Sequence, residues 1–234
     1  MKKSLLILIT IFVTTVGYSQ FTQSNITYTV TSATPPYTAS VTGYTTTGGA
    51  VVIPSTVTDS SITYNVTSIG NAAFFNKGLT NLSFVLPSNI TSIGSVAFRV
   101  NQLTSVTIPD SVLTINSGAF VGNPNLSSVT FGNSLTTIGG STFSGNTLTD
   151  ITIPNSVTSI GSSAFANCQL VNINLGSSIT SIGTTAFAGN SSLNTVTSTA
   201  ITPPAITTSG ATDSFSSSRS GINLIIPATT STAY

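Results

Sequence analysis

The chain has 234 residues, of which only 4% are charged, with five Lys and Arg against four Asp and Glu and no His. All four acids are Asp, so Ser-His-Asp and Cys-His centres and any His-based metal site are excluded, and too few cations are present to neutralise a nucleic-acid backbone. Mean hydropathy is +0.41, yet the apolar positions recur periodically among Ser, Thr and Asn, which describes a folded chain with a neutral hydroxyl surface.

Lys2 and Lys3 precede an apolar run from Leu5 to Val13, and Gly17 and Ser19 put small residues at the −3 and −1 positions of a cut after Ser19. Residues 1–19 are therefore expected to be a cleaved secretory signal. The run falls well short of the roughly 20 apolar residues that span a bilayer, so no membrane insertion is expected after cleavage. From Gln20 onward the cations are Lys77, Arg99 and Arg219 against Asp59, Asp110, Asp150 and Asp213, a net charge of −1 that steers nothing at long range. The lone Cys168 forms no internal disulfide, so stability rests on the packed core.

Residues 20–65 alternate Thr and Val between breaks at Pro35-Pro36 and Gly48-Gly49, which predicts a β-rich N-terminal cap. From residue 66 to 199 a repeat takes over, in about six copies. Ile69-Gly70 is followed by Phe74, Ile93-Gly94 by Phe98, Ile115-Asn116 by Phe120, Ile138-Gly139 by Phe143, Ile160-Gly161 by Phe165 and Ile182-Gly183 by Phe187, with the Phe residues 24, 22, 23, 22 and 22 positions apart. That period suits one strand, a tight turn and a return limb per unit. Each strand starts from a Leu, as in Leu103-x-x-Val106-x-Ile108-Pro109 and Leu148-x-x-Ile151-x-Ile153-Pro154. Val106 and Ile108 are two apart and so share one side of a strand. Pro109 ends it, lacking an N–H for the neighbouring turn. One unit alone leaves both faces open, whereas stacked units bring Phe98, Phe120, Phe143, Phe165 and Phe187 into one core file. Residues 200–234 are expected to form a C-terminal cap or a degenerate last repeat.

These residues resemble the BspA-like, or Treponema pallidum-type, leucine-rich repeats of bacterial surface proteins. The matching text is Ile108-Pro109-Asp110-Ser111-Val112 through Phe120, and Ile153-Pro154-Asn155-Ser156-Val157 through Cys168. The likeness runs over roughly residues 26 to 234. It implies a β-dominated leucine-rich-repeat solenoid of stacked parallel short strands, tight turns and short helical or 3-10 return segments, and an adhesive role outside the cell. That family usually carries Cys three residues after the Phe, whereas this column reads Lys77, Asn101, Asn123, Asn146, Cys168 and Asn190. Asn at the turn of a stacked coil serves backbone groups of its own and the adjacent turn. Asn101, Asn123, Asn146 and Asn190 are thus expected to form a structural ladder, with Cys168 a buried substitute and no reactive thiol.

The outward strand positions form two columns. One holds Thr107, Thr130, Thr152, Asn174 and Thr197, the other Ser105, Ser128, Asp150, Asn172 and Thr195. Thr at such positions is a soluble β-former, and it also makes this sheet the candidate binding face of a solenoid. Lys77 and Arg99, on adjacent turns, are a second candidate anchor. No catalytic residue set, no cofactor and no metal cluster is legible. The expected function is non-catalytic recognition of an extracellular protein or glycan by a secreted or cell-surface protein; the rivals are a self-associating structural envelope protein and an ice- or crystal-surface binder.

Overall fold

The computed structural model describes residues 19–202, 204–206, 213–215 and 222–227. The expected signal, apart from Ser19, and most of the C-terminal segment lie outside them. The described residues form strands and turns. Strands β1 (Gln20–Gln23), β2 (Ile26–Ser32) and β3 (Thr38–Tyr44) make an antiparallel meander. Strand β4 (Gly49–Ile53) leaves this sheet, and β5 (Thr56–Asp59) and β6 (Ile62–Ile69) return to it as a hairpin, with β6 parallel to β3.

From β6 the sheet grows by one two-residue strand per turn. These are β8 (Ser92–Ile93), β10 (Thr114–Ile115), β12 (Thr137–Ile138), β14 (Ser159–Ile160), β16 (Ser181–Ile182) and β18 (Ala205–Ile206), each parallel to the one before. Ile93, Ile115, Ile138, Ile160 and Ile182 point inward and are buried. The front of each turn is a longer strand: β7 (Leu79–Phe84), β9 (Ser105–Thr107), β11 (Ser128–Thr130), β13 (Asp150–Thr152), β15 (Asn172–Leu175), β17 (Thr195–Ser198) and β19 (Asn223–Ile225). Hydrogen-bonded ladders join β4 to β7, β9 to β11, and β13 through β15 and β17 to β19.

The return limbs correct one expectation: among the described residues they hold no helix and no 3-10 segment. Their N–H groups reach the neighbouring turn, as when Gly139 N donates to Ile115 O and Gly161 N to Ile138 O, both at 2.8 Å. Local bonds stay isolated, such as Ala119 N to Asn116 O at 3.3 Å across Gly118, whose φ of 67° cannot continue a right-handed helix.

The core runs as a file of rings along the stack. Phe74, Phe98, Phe120, Phe143, Phe165, Phe187 and Phe215 follow one another at centroid distances of 4.9, 5.2, 5.3, 5.4, 5.5 and 5.1 Å, with planes within 18° of parallel. Strands in a sheet sit about 4.8 Å apart, so a ring per rung arrives at offset-stacking distance. Tyr44 of β3 covers the N-terminal end of the file at 5.4 Å from Phe74. The segment read as a cap thus already belongs to the stack: β4 carries buried Val51 and Ile53 and pairs with β7, and β6 crosses residue 65 without interruption.

Candidate functional site

Behind the file lies the Asn column. Asn101 Oδ1 accepts from Lys77 N at 3.1 Å and Leu79 N at 3.0 Å, while its Nδ2 donates to Phe74 O at 2.9 Å and Phe98 O at 2.8 Å. Asn190 repeats this with Cys168 N, Leu170 N, Phe165 O and Phe187 O. Asn123 and Asn146 make corresponding bonds to Phe98, Phe120 and each other. One amide therefore ties two turns together from inside. Cys168 is fully buried, its Sγ 3.0 Å from Phe143 O. Burial pushes its thiol up to about 12, only partly offset by backbone hydrogen bonds from Asn146 and Gly145, so it carries no thiolate to react at neutral pH.

On the front, strand pairing sets the outward residues side by side. Thr107 pairs with Thr130, Thr152 with Asn174 and Asn174 with Thr197; Ser105 pairs with Ser128, Asp150 with Asn172 and Asn172 with Thr195. Ser105, Thr107, Ser128, Thr130, Asp150, Thr152 and Asn174 are exposed, while Asn172, Thr195 and Thr197 are half-buried. The strip is two-sided in character. Around β13 and β15 it is internally bonded, with Asn172 Nδ2 donating to Asp150 Oδ1 at 2.7 Å and Asn174 Nδ2 to Thr152 Oγ1 at 3.4 Å. Around β9 and β11 the hydroxyls stay open to solvent.

Beside those open hydroxyls lies a groove of about 900 Å³, lined by Phe84, Leu86, Pro87, Thr107, Thr130 and Phe131 among others. Leu86 is 72% exposed at its lip. Asp110 also lines it, its Oδ1 accepting from Asn133 N at 2.7 Å. Sequence reasoning missed this lip and the ends of the strip. Val52 of β4 pairs with Ser83, and Ile225 of β19 pairs with Thr197, so both continue the Thr column as exposed apolar residues. The available signal was Val51-x-Ile53-Pro54, which repeats the strand motif Val106-x-Ile108-Pro109.

Lys77 and Arg99 lie at a different corner, in the turns that hold Phe74 and Phe98, and the structure does not bring them to the strand face. Chemically, the front offers hydroxyls, amides and an apolar groove. Among the described residues no three of His, Cys, Asp and Glu come together as a metal site would need.

Similarity to known proteins matches this architecture. The family model described as BspA type leucine rich repeat region matches in six copies, over residues 54–171 and 114–233. The solved leucine rich repeat protein of T. pallidum is 28% identical, covers 76% of this chain and 81% of its own, and superposes with a TM-score of 0.63. A leucine rich cell surface protein of Faecalibacterium prausnitzii is 21% identical over 77% of this chain and 70% of its own, with a TM-score of 0.41. No curated protein sequence matches the chain. With its file of rings, its rungs and its family model in agreement, the chain belongs to the BspA-type leucine-rich repeat family.

Proposed function

We propose that this protein is exported and acts at the cell surface, or secreted, as a non-catalytic recognition module of adhesion type, with the front sheet as its binding face for an extracellular protein or glycan. The observation that carries the reading is the pairing of open hydroxyls on Ser105, Thr107, Ser128 and Thr130 with the adjoining groove and exposed Leu86. Polar groups that fix orientation beside an apolar recess are the usual makings of a binding surface. The strip lacks Trp and Arg anchors, so a single site binds modestly and many copies on a surface supply avidity.

The test is capture of the purified protein on immobilised matrix proteins and a glycan array, beside a Thr107→Lys/Thr130→Lys/Thr152→Lys variant. Saturable capture by the wild type, lost in the folded variant, supports the reading; equal capture by both moves the site off this face. A second reading, self-association, draws on Leu224 and Ile225, which are 50% and 47% exposed on the last described strand. Sedimentation that shifts with concentration and is abolished in Leu224→Lys favours it.

A further inference from the structure

The turns that carry Phe74 and Phe98 depart from the next four at one corner. The residue after the file Phe is Val121, Ser144, Ala166 and Ala188 in the later turns, but Phe75 and Arg99 in these two. Phe75 is 43% exposed, and the Arg99 guanidinium lies 6.0 Å from its ring centroid. The next position is left-handed in all six turns from Phe74 to Phe187, and Asn76, Gly122, Gly145, Asn167 and Gly189 suit it. In the Phe98 turn it is Val100, φ 58° and 40% exposed. A β-branched residue in that region is a conformational outlier, and strain of this kind concentrates at ligand sites. The third position, Asn or Cys in the next five turns, is Lys77 in the first. Local rules are therefore broken at several neighbouring positions, as happens where function outweighs stability. Asp110 and Asp150 are engaged by Asn133 and Asn172 beyond and along the strands, and the corner itself carries Arg99 and half-buried Lys77 in the same turns as exposed Phe75 and Val100.

We propose that Phe75, Lys77, Arg99 and Val100 form a docking corner for a carboxylate-bearing segment of another protein. A guanidinium laid over a ring keeps its edge N–H fork for a bidentate carboxylate. Lys77 adds a second charge, and Val100 with the rim of Phe75 takes an adjacent apolar side chain. Arginine and aromatic residues together are the usual composition of a binding hot spot. Arg99 lies over one face of the Phe75 ring and leaves less of it for stacking on a sugar, which favours a polypeptide over a glycan. The proposal rests on the recognition reading above but places this partner on a different surface.

The test is selection of a random dodecapeptide display library on the purified wild-type protein. Enriched peptides should carry Asp or Glu beside Leu, Ile or an aromatic residue, and their binding should weaken at least tenfold in Arg99→Gln and in Phe75→Ala and fall as salt rises from 50 to 300 mM. Binding should survive Thr107→Lys/Thr130→Lys/Thr152→Lys, which separates this corner from the front sheet. Val100→Gly should raise the thermal midpoint by a few degrees while weakening binding threefold or more, a pairing of signs that a purely structural residue does not give. The proposal is overturned by an empty selection, by enrichment without acidic residues, by full binding in Arg99→Gln, or by loss confined to the Thr variant. Retention on heparin beads in place of peptides overturns the commitment to a polypeptide.

Discussion

The inward and outward columns of the same front strands obey different rules. Inward, Val106, Ile151, Ile173 and Val196 vary only among branched aliphatics, and the file behind them is Phe at every rung from Phe74 to Phe215. Outward, the same strands run from Val52 through Ser83 and Thr107 to Asp150, Asn172 and Ile225. A ring that must stack on the ring above and below has one solution, whereas a side chain facing water has many. Uniformity therefore marks structure in this protein, and departures from it mark candidate function.

The sharpest way to break that comparison is Phe143→Ala. Phe143 is fully buried between Phe120 and Phe165 and edge-on to Phe131 at 5.6 Å, and its loss should cost about 3–5 kcal/mol in a denaturant titration. Gly161→Ala should come next, at about 1–3 kcal/mol by the same assay. A Cβ there would run into Gly140 N, which is backbone and cannot swing aside.

Cys168 sharpens the comparison in the opposite direction. Cys168→Asn would put an amide back into the column, within reach of the turn above as Asn190 is for Cys168 N and Leu170 N, and should raise stability by about 1 kcal/mol. It should also change the pH profile. The folded thiol is held up at about 12 by burial, above its ordinary value near 9, so the unfolded chain releases this proton first. Stability is then fully present below about pH 9 and falls as pH rises toward 12, by about 1.4 kcal/mol per unit. Tyr28, also pushed up to about 12 by burial, contributes only above its ordinary value near 10. Unfolding free energies at pH 8 and pH 10 should therefore differ clearly in the wild type and much less in Cys168→Asn. At the small end, Thr152→Ala should change stability by less than about 0.5 kcal/mol. An effect there as large as that of Phe143→Ala would invert the assignment of inside and outside.

Much of the stack was legible because its signal is redundant. Ile-Gly and Phe at fixed offset name two inward columns at once, and an error at one turn, such as Asn116 for Gly, is outvoted by the others. Asn116 itself compensates by donating Nδ2 to Ile93 O at 2.9 Å. The beginning of the stack was harder to see, because β3 supplies Tyr44 where later turns use Phe, and β5 intervenes between β4 and β6 as the first strand of a hairpin. The return limbs were misjudged for a different reason. A two-residue strand such as Thr114–Ile115 is defined by its partners in the turns on either side, and no local propensity records them. At the front, alternation reveals which side chains face out, but the groove depends on how Val85, Leu86 and Pro87 leave β7 beside β9, which is a property of backbone path. The docking corner became visible only when Val100 could be seen at positive φ in a column otherwise held by Gly and Asn.

The one-rung-per-turn joining of the return strands has a mechanical side. Neighbouring turns share backbone bonds, a ring contact and an amide, and among the described residues turns further apart share none of these. A load applied along the stack is therefore carried in series, each turn bearing the full tension. When one turn yields it releases about 22 residues, roughly 75 Å of extended chain at about 3.4 Å per residue, without unseating those beyond its neighbours. A protein built this way at a cell boundary would lengthen in discrete steps under shear while the remaining turns keep their faces intact, and the turn closed by Cys168 in place of Asn is where the first step should occur.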